Sequence, residues 1–149
     1  MDFALKIREL VEALDKNKDK VVNEAATNMA FVIPFLKVLG YDIFDTDEII
    51  PEYTADVGDK KGEKVDYAIT KDGQAVLLIE VKSLKNIPDA KDTYQLKRYF
   101  GVENVSVAIL TNGIQYQFFA DFDKKHIMDD LPFFTVKLDR SIRDSEIEL

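Results

Sequence analysis

Several groups that functional sites often use are scarce or absent in this chain. There is no cysteine among the 149 residues, which excludes disulfides, thiolate metal sites and cysteine nucleophiles together. The one histidine, His126, excludes any site that needs two imidazole groups. No apolar run approaches the roughly 18 residues of a membrane span, and the N-terminal segment lacks the apolar core of a signal peptide. We therefore expect a cytoplasmic protein.

Length and composition predict one globular domain over residues 1–149. Apolar residues make up 46% of the chain and charged residues 32%, as is usual for a globular domain. A mass of 17.0 kDa leaves no room for a second core of useful size. Within this domain we expect residues 1–20 to form a helical N-terminal extension. Residues 139–149 are expected to begin a linker or helix toward a region outside this sequence.

The charge distribution gives conflicting indications about a nucleic-acid partner. The net charge of −8 argues against one, because phosphates are bound by clusters of lysine and arginine. However, residues 60–98 contain 9 basic and 6 acidic residues, whereas the rest of the chain contains 11 basic and 22 acidic ones. If the protein binds DNA, we expect this basic segment to face it.

Periodicity predicts a mixed sheet flanked by helices. An apolar stripe predicts a helix over 3–14, and a second helix is expected over 22–39, bent at Pro34 and ended by Gly40. Asn112-Gly113 predicts a tight hairpin between the last two main strands. The expected strands are 48–53, 64–70, 75–82, 105–111 and 114–120, with a possible edge strand at 133–138 and a helix over 89–100. A helix between strands implies a crossover, so the fold class is α/β.

Two charged residues stand at the end of an apolar strand. Residues 75–82 read Ala-Val-Leu-Leu-Ile-Glu-Val-Lys, and strand alternation puts Glu80 and Lys82 on one face. Buried charges are costly unless they are paired or bound to something. On its own, the pattern is equally typical of an ordinary salt bridge at a strand end.

The turn before this strand decides whether Asp66 shares a face with Glu80. A two-residue turn at Asp72-Gly73 would put the two carboxylates on opposite faces. A three-residue loop over 71–73 would pair Asp66 with Leu78 and bring the carboxylates together. We predict the three-residue loop. Two carboxylates on adjacent strands would suit Mg²⁺, with Mn²⁺ as a substitute, and the chemistry of phosphodiester hydrolysis.

The spacing of these residues resembles a known catalytic motif. Asp66 followed, after 13 residues, by Glu80-Val-Lys82 is similar to the motif of the PD-(D/E)XK nuclease superfamily, although Val65 stands where the name has proline. Within this superfamily the sequence more nearly resembles one branch, the N-terminal endonuclease domain of type I restriction enzyme R subunits and its shorter relatives. Further similar stretches, in the expected order, are 23–27, 34–36, 39–42, Gln95-Leu-Lys-Arg-Tyr99, and Leu110-Thr-Asn-Gly113 followed by Tyr116 and Phe118. The resemblance implies a restriction-endonuclease-like fold.

The resemblance also implies roles for the site residues. Asp66 and Glu80 would be metal ligands, with the Val81 carbonyl as a possible third. Lys82 would position or activate the attacking water. Glu24 would approach the metal directly or through water, although the spacing alone fits equally a first-turn acid stabilised by the helix dipole.

The remaining predicted site residues lie on a later helix and in the basic segment. Gln95 would orient the site, and Tyr99, one turn later, would support it. Lys60, Lys61, Lys64 and Tyr99 are the predicted nucleic-acid contacts, although a solvated turn explains the lysines as well.

These roles predict a Mg²⁺-dependent DNA endonuclease domain. Because the sequence has no ATPase motif, a motor or specificity subunit would have to be supplied by another domain or chain. The alternative is a non-catalytic DNA-binding or assembly module that retains the nuclease fold. An RNA substrate stays open at this point.

Overall fold

The computed structural model describes residues 2–54, 64–102 and 104–148, and the statements below concern these residues. The strands are β1 (Ile49–Thr54), β2 (Lys64–Lys71), β3 (Gln74–Val81), β4 (Val107–Thr111), β5 (Gln115–Phe119) and β6 (Phe134–Lys137). The α-helices are α1 (Phe3–Asn17), α2 (Glu24–Thr27), α3 (Ile33–Val38), α4 (Tyr94–Val102) and α5 (Asp144–Ile147). A π-helical segment, Asn28–Val32, joins α2 to α3, and short 3-10 turns occur at Lys18–Lys20 and Ala90–Thr93.

The six strands form one mixed sheet in the order β1-β2-β3-β4-β5-β6. Only β3 and β4 are parallel among these neighbours, and α4 lies in the connection between them. Strand positions, the mixed sheet and the edge strand near residue 134 are confirmed. The α/β fold is consistent with a restriction-endonuclease-like domain.

Each face of the sheet has its own core. On one face, the predicted stripe of α1 is buried together with Phe31, Val32, Phe35 and Leu36, although Phe3 itself is 42% exposed. On the other face, α4 buries Leu96, Tyr99 and Phe100 against β2, β3 and β4. The sheet is therefore a central layer with a separate core on each face.

The second predicted helix is not a regular α-helix throughout. Its middle is the π-helical segment, in which the Ile33 N–H donates to the Asn28 carbonyl five residues earlier. Pro34 follows directly and has no N–H, and in a regular α-helix its ring would clash with the carbonyl four residues earlier. The wider π-helical turn before it relieves this clash. Gly40 ends the helix as predicted, with φ +99°. The N–H groups of Gly40 and Tyr41 donate to the Lys37 and Leu36 carbonyls.

The loop predicted between β2 and β3 was wrong. Lys71 pairs with Gln74, so the turn has two central residues, Asp72 and Gly73, with φ values of 53° and 77°. Positive φ at both positions matches the twist of the flanking strands, and aspartate tolerates it well. The predicted pairing of Thr70 with Gln74 does not occur.

A bulge in β3 nevertheless restores the predicted facing of the carboxylates. Thr70 pairs with Ala75, but Ile69 pairs with Leu77, which leaves Val76 as an extra residue. Leu78 therefore pairs with Ala68 rather than with Asp66 as predicted. Because one inserted residue reverses the side-chain alternation, Asp66 comes to share a face with Glu80.

The C-terminal segment packs onto this domain. The helix expected from residue 139 begins at Asp144 instead, and Ile142 and Ile147 are buried in the core that contains α1. Arg140 lies 3.3 Å from Glu12 and 3.2 Å from Asp15 of α1. The described part of this segment is therefore a structural element of the fold.

Candidate active site

Two carboxyl groups meet at the carboxyl end of β3. Glu80 is 5% exposed, and Asp66 is half-buried on the neighbouring strand. The Val81 N–H donates to Asp66 Oδ2 over 2.7 Å, which fixes that side chain across the strand pair. The hairpin and its bulge thus hold both acids on the α4 face of the sheet.

Burial of Glu80 changes its chemistry. Desolvation, followed by the hydrogen bond and negative charge of Asp66, raises the pKa of Glu80 to about 9. Its Oε2 atom is buried and has no hydrogen-bond partner among the described residues. A buried, unpartnered carboxylate oxygen beside a second carboxylate is a donor set that fits a hard divalent cation.

Glu24 lies close enough to this pair for their charges to interact. Its pKa is raised by desolvation first and by the charge of Asp66 second, while Lys82 acts in the opposite direction. However, the described residues contain no cluster of three Asp, Glu or His side chains that could hold a metal. Glu24 is also a first-turn acid, since Asn23 caps α2 by accepting from the Ala26 N–H.

Lys82 has an ionic partner that the sequence analysis missed. Its Nζ lies 4.0 Å from Asp92 Oδ1, and both side chains are 26% exposed. Asp92 belongs to a capping box in which its Oδ2 accepts from the Asp89 N–H. The spacing of Asp89 and Asp92 just before an apolar helix is a recognisable capping signal. This capping signal predicts where the helix begins, but it does not indicate that Asp92 lies beside Lys82.

Gln95 and Tyr99 connect α4 to the sheet beside the site. The Gln95 side chain donates to the Lys64 carbonyl, two residues before Asp66 on β2. Tyr99 is fully buried in the α4 core, so the prediction that it contacts DNA is corrected. Its ring is part of the core between α4 and the sheet.

Of the three predicted DNA-contacting lysines, the structure describes one. Lys64 is exposed at the start of β2, with Nζ 3.8 Å from Glu52. Lys60 and Lys61 lie outside the described residues. Of the basic segment, the structure therefore describes Lys64 and the basic residues after it, including Lys82.

An apolar cavity of about 530 Å³ lies away from these residues. Its lining comes from α1, α3, β5, β6 and the C-terminal segment, and includes Phe35, Phe118 and Ile147. None of the predicted site residues lines it, so its chemistry is unrelated to the carboxylate pair.

Comparison with known proteins gives one informative match. Residues 23–132 match the family model described as type I restriction enzyme R protein N terminus. No curated protein and no solved structure matches the chain. Among the helices that the structure describes, none has the length and apolar character needed to span a bilayer.

Proposed function

The chain belongs to the family of type I restriction enzyme R protein N termini, and on this premise we propose that it is a Mg²⁺-dependent DNA endonuclease domain. The observation that carries the proposal is the pairing of Asp66 with buried Glu80 beside Lys82, on adjacent strands. This arrangement supports membership of the PD-(D/E)XK superfamily. The basic 60–98 segment contains all three residues and is the proposed DNA-facing side.

The carboxylates of Asp66 and Glu80, with the Val81 carbonyl, would hold the cation. A bound Mg²⁺ supplies charge neutralisation at the phosphate and makes water a better nucleophile. To bind it, the Glu80 carboxyl must release the proton that its raised pKa retains. The hydrophobic environment that raises this pKa also strengthens the attraction of the ionised pair for a cation.

Lys82 and Glu24 would act on the water and the scissile phosphate. The Lys82 ammonium donates hydrogen bonds, so it can orient the water or stabilise charge on a phosphoryl oxygen. Glu24, held near the pair, can accept a hydrogen bond from the same water. Attack forms a phosphorus–oxygen bond, breaks the bond to the leaving oxygen and passes a proton from water to that oxygen.

The rival proposal is a non-catalytic DNA-binding or assembly module. The net charge of −8 favours the assembly form of this module, because an acidic domain alone binds DNA weakly. In either case, the family suggests that DNA and other restriction-enzyme subunits or domains are the partners, with a motor or specificity function supplied by them.

Cleavage of supercoiled plasmid in Mg²⁺ or Mn²⁺ tests the proposal. We expect Asp66→Asn and Lys82→Met each to reduce the rate by about 100-fold or more. The matched controls Glu9→Gln and Lys16→Met, on the distant exposed side of α1, should retain full activity. Equal activity in all five proteins, or none in wild type, would favour the module. Cleavage of RNA but not DNA would instead change the substrate assignment.

A further inference from the structure

Buried polar side chains concentrate near the proposed active site. Within the described residues, the buried polar or charged residues are Thr27, Glu80, Thr93, Thr111 and Asn112. Two of them, Thr27 and Asn112, bind the same short segment of backbone that follows Lys82. Because a buried polar group is costly unless it is satisfied, such a concentration requires explanation.

Thr27 links α2 to the segment after β3. Its hydroxyl is fully buried, donates to the Asn23 carbonyl over 2.9 Å and accepts from the Leu84 N–H over 3.1 Å. Thr27 is three residues after Glu24, so it lies one turn along from the Glu24 carboxylate. Leu84 is two residues after Lys82. One hydroxyl therefore connects the backbone elements that carry both groups.

Asn112 holds the other side of the same segment. Its Nδ2 donates to the Leu84 and Asn86 carbonyls over 3.4 and 3.2 Å. Its Oδ1 accepts from the Ile114 and Gln115 N–H groups over 3.1 and 2.8 Å. The side chain thus joins the turn between β4 and β5 to the loop that begins after Lys82.

Gly113 brings this turn against the helix without an intervening side chain. A Cβ at this position would lie 2.8 Å from Thr27 Cγ2 and 3.0 Å from Phe31 Cβ, and φ is +93°. Contacts shorter than 3.0 Å require atoms to move. Glycine is therefore needed here for close approach as well as for backbone conformation.

We infer that Thr27, Asn112 and Gly113 are positioning residues that fix Glu24 relative to Lys82 in the active site. This inference rests on the proposed nuclease function. The three residues do not touch the reacting groups. They join three separate chain segments, α2, the loop after Lys82 and the β4–β5 turn, so that the spacing of the two charged groups is determined by hydrogen bonds and close packing.

A double-mutant cycle on the cleavage rate tests the inference. We expect Thr27→Val to reduce kcat by about 10- to 100-fold with little change in KM, because misplacing a catalytic group by about 1 Å is sufficient for such a loss. Thr27→Ser, which keeps the hydroxyl, should recover most of the rate. In a Glu24→Gln background, Thr27→Val should cause no further loss. The inference would be overturned if the double variant lost activity by the product of the two single losses, or if Glu24→Gln kept full activity.

Thr70→Val is the matched control for loss of a threonine hydroxyl. Thr70 donates to the Asp47 carbonyl over 2.7 Å near the opposite end of β2. We expect its kcat to stay within about twofold of wild type. A loss equal to that of Thr27→Val would show a general effect on stability and would count against a positioning role.

Hydrogen exchange provides a readout that does not require cleavage. In Thr27→Val, we expect faster exchange of the Leu84 amide and of amides in 23–28, with wild-type rates at Leu84 in Thr27→Ser and Thr70→Val. If wild type lacks nuclease activity but this pattern appears, the proposed function fails while the structural link stands. Unchanged exchange at Leu84 in Thr27→Val would overturn the link. Gly113→Ala is a second variant, and if it does not fold, the Thr27 series still decides.

Discussion

The β2–β3 and β4–β5 hairpins both contain a glycine at positive φ, yet they serve different purposes. In the first, Asp72 and Gly73 are the central residues, and nothing among the described residues lies within 4 Å of a Cβ built on Gly73. In the second, Asn112 directly precedes Gly113. A Cβ built on Gly113 would lie 2.8 Å from Thr27 Cγ2 and 3.0 Å from Phe31 Cβ. There is open space around the Cα of Gly73 in the first turn, and the bulge that follows this turn sets the register of the carboxylates. The second turn is itself a packing element.

The hairpins also differ in how they treat a buried polar side chain. Asn112 is satisfied on both its amide nitrogen and its oxygen, so its burial stabilises one arrangement of three segments. Glu80, on β3, has a raised pKa and one carboxyl oxygen that finds no hydrogen-bond partner in the described part of the chain. One hairpin is therefore held by a fully hydrogen-bonded amide, whereas the other carries a buried carboxyl oxygen that has no hydrogen-bond partner among the described residues.

Alanine at the two glycines should separate turn strain from packing. Both positions have positive φ, so each substitution incurs a backbone penalty of about 1–2 kcal/mol. Gly113→Ala must also displace Thr27 or Phe31, which adds about 1–3 kcal/mol. We expect Gly113→Ala to lower the free energy of unfolding well beyond Gly73→Ala in urea titrations. Equal losses would mean that the β4–β5 turn is no more tightly packed than the exposed one.

Removing the titration of Glu80 should stabilise the metal-free protein at neutral and alkaline pH. The folded state retains a proton up to about pH 9, whereas an ordinary glutamate loses it near 4.5. Stability should therefore fall as pH rises through this window, by up to about 1.4 kcal/mol per pH unit. Glu80→Gln should be more stable than wild type at pH 8 and should lose this slope.

Urea titrations in EDTA from pH 6 to pH 9 measure the effect, with Glu9→Gln as an exposed control. A wild-type slope unchanged by Glu80→Gln would show that the Glu80 carboxyl is already ionised in the folded protein.

Metal affinity should rise with pH for the same reason. Because a cation replaces the Glu80 proton, Mn²⁺ affinity should increase by up to about tenfold per pH unit below the raised pKa. Calorimetry in buffers of different ionisation enthalpy should detect release of about one proton per Mn²⁺ bound. Binding without proton release would place the cation elsewhere, and Glu80→Gln should abolish the linkage.

Loss of the Asp92 charge should have the smallest effect. Asp92→Asn keeps the capping geometry but removes the ionic partner of Lys82. Since the pair is 4.0 Å apart and partly exposed, we expect the cleavage rate to fall by about two- to tenfold. The control is Asp130→Asn, which removes the exposed partner of Lys97 instead. A larger loss than in Lys82→Met would show that Asp92 acts on the reaction by a separate route.

Elements dominated by local pattern were predictable from the sequence. The apolar stripe of α1, the end of the second helix at Gly40 and the strand positions all follow from nearest-neighbour periodicity and turn chemistry. The motif Asp66, Glu80 and Lys82 was recognisable because its acids lie on two consecutive strands and Lys82 directly follows the second. The π-helical segment was missed, since only one proline indicated any departure from a regular helix.

Features that depend on register or on distant packing were not predictable. Whether Asp66 faces Glu80 depended on a bulge at Val76, for which an apolar strand gives no local signal. The burial of Tyr99 and the pairing of Lys82 with Asp92 depend on how α4 docks against the sheet. Spacing along a helix gives a residue's direction but not the element that it meets.

By itself, the sequence determined the acids, the lysine, the strands that carry them and the absence of cysteine chemistry. Tertiary structure alone decided that Glu80 is buried, with one oxygen that no group in residues 2–54, 64–102 or 104–148 binds, and that the Asn112-Gly113 turn lies against the helix bearing Glu24. The physical reason is the distance along the chain over which each kind of interaction acts. Hydrophobic periodicity and turn propensities act over a few neighbouring residues, whereas desolvation and close packing depend on segments as far apart as residues 27 and 113.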